Sequence, residues 1–229
     1  REMSGERPVR WLELTADYRC NNRCVGCYSV SDAGPSMTAR EIAQTLANGR
    51  RRGARCLWLG GGEPTLRKDL FATIAHAKKL GYEKIKLQTN GMLLSYPEFT
   101  DKLVAAGLDE VSFSVKGASA ATHDRLTRTP GCHALMEQGM AQARARGLPF
   151  DVDVLLYAES VRELPEMVRR YADLGARHFY LWLFSAADSA DPELLGQVPR
   201  IGDVMRELEA ALAHFPEITS LHTPACTVP

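Results

Sequence analysis

A chain of 229 residues that is 45% hydrophobic and 24% charged holds enough apolar material for a sizeable core, in one large or two small domains. Lysine plus arginine equals aspartate plus glutamate at 28 each, so no overall field draws the surface to nucleic acid or to an anionic membrane. No apolar run approaches the ~20 residues of a membrane span, the start shows no charged-then-apolar leader, and six cysteines, three of them close together, suit metal binding in a reducing cytoplasm rather than a secreted disulfide framework.

In chain order, the first strand is expected at Trp11–Thr15. A capping box, Thr38 with Glu41, opens a helix that runs to Arg52. The basic run Arg50, Arg51 and Arg52 ends it, where cations offset the helix dipole, so it reads as a solvated helix end and not a nucleic-acid patch. Strands then fall at Cys56–Gly60, Lys84–Thr89, Glu110–Val115, Phe150–Tyr157 and His178–Phe184. Helices fall at Leu70–Leu80, Pro97–Ala106, His133–Arg146 and Val161–Leu174, with a last one near Gly202–His214. Gly53, Gly81, Gly107, Gly147 and Gly175 each follow a helix and precede a strand, as helix C-caps do. Strand–helix alternation with short returns implies parallel strands and right-handed crossovers. About six such units make an α/β fold, a partial, open (β/α)6 barrel over residues 1–214. Residues 215–229 remain as a C-terminal tail from which an extension could start.

The strands carry a second signal, because side chains alternate faces along them. Ile85 and Leu87 oppose Lys86, Gln88 and Asn90; Val111, Phe113 and Val115 oppose Ser112, Ser114 and Lys116. Val152 and Val154 oppose Asp151 and Asp153, and Leu12 and Leu14 oppose Glu13 and Thr15. The apolar set must meet the helices, so the polar set lines the interior. A closed eight-stranded barrel fills its interior with branched apolar side chains; a polar lining implies a wet cavity for a polar cofactor and substrate.

Cys20-Asn-Asn-Arg-Cys24-Val-Gly-Cys27 follows directly from the first strand, at the end where such folds build ligand sites. Cubane 4Fe–4S clusters are normally held by four cysteines, so three thiolates would leave the fourth iron open to a ligand. Structural zinc wants four closed ligands, and no fourth cysteine or histidine lies nearby in sequence.

This motif, together with Gly61-Gly62-Glu63-Pro64-Thr65 after the second strand and Thr89-Asn90-Gly91 after the third, resembles the radical S-adenosylmethionine (radical SAM) superfamily over about Trp11 to Phe184. The resemblance implies a 4Fe–4S cluster on Cys20, Cys24 and Cys27 and S-adenosylmethionine on the open iron. It implies that the cofactor is cleaved to a 5′-deoxyadenosyl radical that takes hydrogen from a polar substrate, a peptide or small metabolite. It further implies an electron donor such as flavodoxin or ferredoxin. Gly61, Gly62 and Glu63 match residues that meet the methionine ammonium, so Glu63→Gln would alter that contact alone. Asn90 and Ser114 match positions that reach the ribose or methionine end, or are ordinary strand-end residues. Arg125 and Arg128 are candidates for the methionine carboxylate, or solvated helix residues.

Two positions depart from the family's pattern. Many members carry an aromatic residue before the third cysteine, near adenine; here it is Gly26, with Tyr28 on the other side. Many carry an aspartate where this chain has Lys116, which either selects an acidic group or bridges to Asp151 or Asp153. His123, His133 and Cys56 read as structural, and Trp58, Tyr180 and Trp182 as strand aromatics that could line the cavity. The polar segment Ser185–Ile201 reads as a lid. Cys226 would mark an auxiliary iron–sulfur cluster only if more thiolates joined it. A radical methyl- or group-transfer enzyme is the second reading, and a non-enzymatic zinc- or cluster-binding module the rival from another class.

Overall fold

The computed structural model describes residues 9–27, 35–186, 189–215 and 220–222. Seven parallel strands lie side by side in chain order: β1 Trp11–Thr15, β2 Cys56–Gly60, β3 Lys84–Thr89, β4 Glu110–Val115, β5 Phe150–Leu156, β6 Phe179–Leu183 and β7 Ser220–His222. The first six form the expected open half-barrel. The seventh was not foreseen, and it lies inside the stretch read as a tail. The helices are α1 Ala39–Arg51, α2 Leu70–Lys79, α3 Pro97–Ala106, α4 Ala120–Thr127, α5 Cys132–Ala145, α6 Leu164–Leu174, α7 Pro192–Gly196 and α8 Ile201–His214. Of these, α4 and α7 have no counterpart in the sequence reading. No helix among the described residues is long and apolar enough to cross a membrane.

Local chemistry accounts for the boundaries. The Thr38 hydroxyl accepts from the Glu41 N–H while the Glu41 carboxylate accepts from the Thr38 N–H, closing the capping box on α1. The five cap glycines all have positive φ, 64° to 112°, a region a Cβ disfavours.

The register aligns one apolar row, Leu14–Leu59–Leu87–Val111–Phe150, across five strands. This row is buried against the helices and forms the main core. The opposite face is polar, as the alternation demands. At its lower end Lys86 bridges Asp151 (3.0 Å) and Glu110 (3.3 Å), Glu110 also takes Lys84 and Arg177, and His178 bonds Asp151 at 2.8 Å. This ionic plug satisfies the buried charges.

Lys116 does not join it. Parallel pairing sets Ser112 beside Asp151 and Ser114 beside Asp153. Lys116 therefore follows Ser114, the partner of Asp153, by two residues, a rise of about 6.6 Å along the chain. The expected bridge to Asp151 or Asp153 is not made.

Candidate active site

The cysteine loop leaves β1 at its C-terminal end and is held from three sides. On the first, the main chain of β2's end bonds it: Gly62 N–H donates to Asp17 O (3.0 Å) and Glu63 N–H to Arg19 O (2.7 Å). A Cβ on Gly62 would lie 2.2 Å from Arg19 O, and one on Gly61 (φ 118°) 2.5 Å from Asp17 O. The two glycines are thus required by the loop's own backbone, whatever ligand approaches them.

On the second side stands the end of β3. The Asn90 amide donates to Asn21 Oδ1 (2.7 Å), and its oxygen accepts from Met92 N–H (3.0 Å). Glu63 ties this turn to β2. Its Oε1 accepts from Thr65 N–H and from the Thr65 and Thr89 hydroxyls, and its Oε2 accepts from Asn90 N–H at 2.7 Å. Burial pushes this carboxyl up, and the same four donors pull it down. A glutamine here would set an N–H₂ against a donor, so exchange at 63 touches more than one ligand contact.

The third side is α4, whose last carbonyls take the loop's amides: Arg23 N–H to Thr127 O (3.0 Å) and Val25 N–H to Leu126 O (2.9 Å). The Tyr157 hydroxyl, beyond β5, donates to Val25 O at 3.0 Å. Behind the loop, buried Asn22 donates to the sulfur of buried Cys132 at 3.3 Å, and Cys132 lies 3.7 Å from the His123 ring. His123 and His133 are both buried with their rings 5.5 Å apart, as structural residues. Phe184, at the end of β6, fills the space of a side chain at Gly26, since a Cβ there would lie 2.4 Å from its ring. Tyr28 lies outside the described residues.

Held in this way, Cys20, Cys24 and Cys27 line one cavity of about 460 Å³ together with Gly61, Gly62, Glu63, Asn90, Ser114 and Lys116. That volume falls in the range of small-ligand sites, roughly 300–1,000 Å³. Trp58 and Trp182 line it deeper down. At its floor Asp153 accepts from the Ser112 hydroxyl (2.5 Å), Gln88 (3.2 Å) and the Trp182 indole (3.4 Å), with burial pushing its carboxyl up. Arg125 is not part of the lining: its guanidinium pairs with Glu159, while Arg128 reaches Glu193 at 3.1 Å. Cys226 lies outside the described residues, and the part of the 185–201 segment that is described packs Leu194 near Gly26.

Burial pushes the Cys20 thiol up to about 11 and raises Cys24, so both are protonated at neutral pH and a metal taking them as thiolates would have to displace those protons. Among the described residues no three His, Cys, Asp or Glu side chains converge as the ligands of a single ion do. A cubane spreads its thiolates over separate irons and does not require that convergence.

Asn90→Ala should cost about 1–3 kcal/mol, the net worth of its two part-buried hydrogen bonds. It should also speed amide exchange at Arg23 and Val25 before it affects β4; unchanged exchange there would contradict its role as a tie.

The sequence model of the Radical SAM superfamily matches residues 18–171. The chain is 34% identical over 171 residues to a probable GTP 3′,8-cyclase of Methanopyrus kandleri, covering 73% of this chain and 54% of the relative. It is 30% identical over 191 residues to an AdoMet-dependent heme synthase of Methanosarcina barkeri, covering 82% and 53%. In fold it is similar to Streptococcus suis SuiB bound to S-adenosylmethionine, with a TM-score of 0.77 at 15% identity, covering 96% of this chain and 52% of that one. The chain thus spans about half the length of the curated relatives it matches. A family match running from the cysteine loop through β5, on an open parallel half-barrel with that loop at its mouth, has one consequence: this chain belongs to the radical SAM superfamily.

Proposed function

We propose that the cavity binds S-adenosylmethionine beside a 4Fe–4S cluster held by Cys20, Cys24 and Cys27, and serves hydrogen abstraction from a polar substrate. The observation that carries this reading is convergence: the three thiols, the Gly61–Gly62–Glu63 turn, Asn90 and Ser114 come from four strand ends yet line one cavity. When bound, cluster and cofactor together supply a 5′-deoxyadenosyl radical able to take a substrate hydrogen.

The chain's own residues bind, orient and exclude water. Glu63 Oε2 has a single donor, Asn90 N–H, and keeps acceptor capacity for the methionine ammonium. Asn90 ties Asn21 to the turn after β3 through one N–H and its oxygen, and its second N–H remains for a ligand. The Ser114 hydroxyl accepts from Lys116 at 3.3 Å and keeps its own proton for a ligand oxygen. Arg125, paired outside the lining, has no part in this scheme.

Two relatives named for GTP cyclisation and heme synthesis favour a small-molecule substrate; a structural neighbour solved with its precursor peptide, at 14% identity, keeps a peptide in view. Flavodoxin or ferredoxin would supply the electron, in a reducing cytoplasm. Anaerobic protein given dithionite and S-adenosylmethionine should form 5′-deoxyadenosine and methionine in equal amounts. Iron-replete protein that forms neither would overturn the reading, as would a colourless zinc protein.

A further inference from the structure

The geometry points to Lys116 as the residue that receives a carboxylate inside the cavity, an inference that rests on the cavity being the ligand site. Lys116 follows β4 on its polar face and is 7% exposed. Its ammonium donates to Ser114 Oγ at 3.3 Å and forms no ion pair with a carboxylate among the described residues. Lys86, equally buried on the neighbouring strand, has both Asp151 and Glu110. The difference matters, because an ammonium removed from water needs a counter-charge and hydrogen-bond acceptors for three donors.

Position decides where that counter-charge comes from. Lys116 lines the cavity and is the one basic side chain among its described lining residues. Arg125 and Arg128, on α4 and its C-cap, are engaged by Glu159 and Glu193. The cavity wall thus presents an ammonium and a hydroxyl side by side, Lys116 and Ser114. Together they supply the charge and the second donor that a two-oxygen anion accepts. Two sources bring such a group: the methionine end of S-adenosylmethionine, or the substrate.

Equilibrium titrations on the anaerobic, cluster-loaded chain separate the sources, using wild type, Lys116→Met and Lys116→Arg. The ligands are S-adenosylmethionine, its decarboxylated analogue, and propionate, the last added both with and without a saturating concentration of cofactor. If the cofactor supplies the carboxylate, Lys116→Met weakens S-adenosylmethionine by roughly 10- to 100-fold, the scale of one charge-assisted hydrogen bond. It then leaves the decarboxylated analogue unaffected, and Lys116→Arg restores most of the loss. If the substrate supplies it, cofactor affinity is unchanged, while wild type and Lys116→Arg bind propionate and Lys116→Met does not. Overturning the assignment takes a Lys116→Met protein with full iron that matches wild type on all three ligands. A shift confined to the cluster's reduction potential would also overturn it, because the ammonium would then be paired with the thiolates. Wild type that binds propionate but no S-adenosylmethionine sinks the proposed function and leaves Lys116 as assigned.

Discussion

Cys24→Ala should leave the chain folded but nearly colourless, with iron falling from about four atoms per chain to a small residue. The loop does not depend on this thiol for its shape. Its main chain is fixed by Gly62, Glu63 and the end of α4, and by the hydroxyl of Tyr157. The stability cost should therefore stay near the ~1 kcal/mol of an ordinary substitution. Loss of one of three thiolates would leave two of a cubane's four irons without a protein ligand, so loss of the cluster should be nearly complete. Cys20→Ala and Cys27→Ala should behave alike. Iron and sulfide analysis beside far-ultraviolet circular dichroism makes the check, and a single variant that keeps its full iron would remove that residue from the ligand set.

Gly62→Ala should be as damaging to iron loading while acting by a different route. Its Cβ would meet Arg19 O at 2.2 Å and the Tyr18 carbonyl carbon and oxygen at 2.6 Å, all main-chain atoms that cannot swing aside. Withdrawing Gly62 to relieve the clash would break its N–H bond to Asp17 O. Overpacking of this kind costs about 1–3 kcal/mol, and here the strain falls on the segment that carries Cys20. The control is Gly202→Ala in α8, where an added Cβ meets nothing within 4 Å. That change should be neutral or stabilise by roughly 0.5–1 kcal/mol. Denaturant midpoints for the two variants, with iron content, should diverge; equal midpoints would show that the close approach at Gly62 is not real.

The sequence revealed most of the half-barrel because its two strongest signals are local. Alternation along β3, β4 and β5 places Ile85, Val111 and Val152 in the core and Gln88, Ser114 and Asp153 at the cavity, and the cap glycines punctuate the helices. The site was legible in its residue types and less so in their partners. Asn90 reads as a ligand contact by its motif and does line the cavity, but its amide also bonds the next turn at Met92 N–H and, 69 residues back in the chain, Asn21, a neighbour that only folding brings close. The fate of Lys116 depended on strand register, which alternation does not fix. Helix α4 went unread because Ala120–Thr127 is short and weakly amphipathic, though Ser119 does cap it by accepting from Thr122 N–H. It proves to be one of the loop's three supports. Phe184 could not be foreseen beside Gly26, since the two are joined only through the closure of the barrel mouth. The three residues of β7 are too few to show a period.

Three cysteines of this chain would hold the cluster, beside the cavity proposed to receive S-adenosylmethionine. The most direct test is the electron paramagnetic resonance spectrum of the dithionite-reduced protein, recorded before and after the cofactor is added. An iron without a protein thiolate should take the cofactor as a ligand, so a reduced cubane signal should appear and change shape on addition, and Glu63→Ala should need more cofactor for the same change. A cubane signal that stays identical at saturating S-adenosylmethionine, or protein that carries zinc and gives no signal, would contradict it.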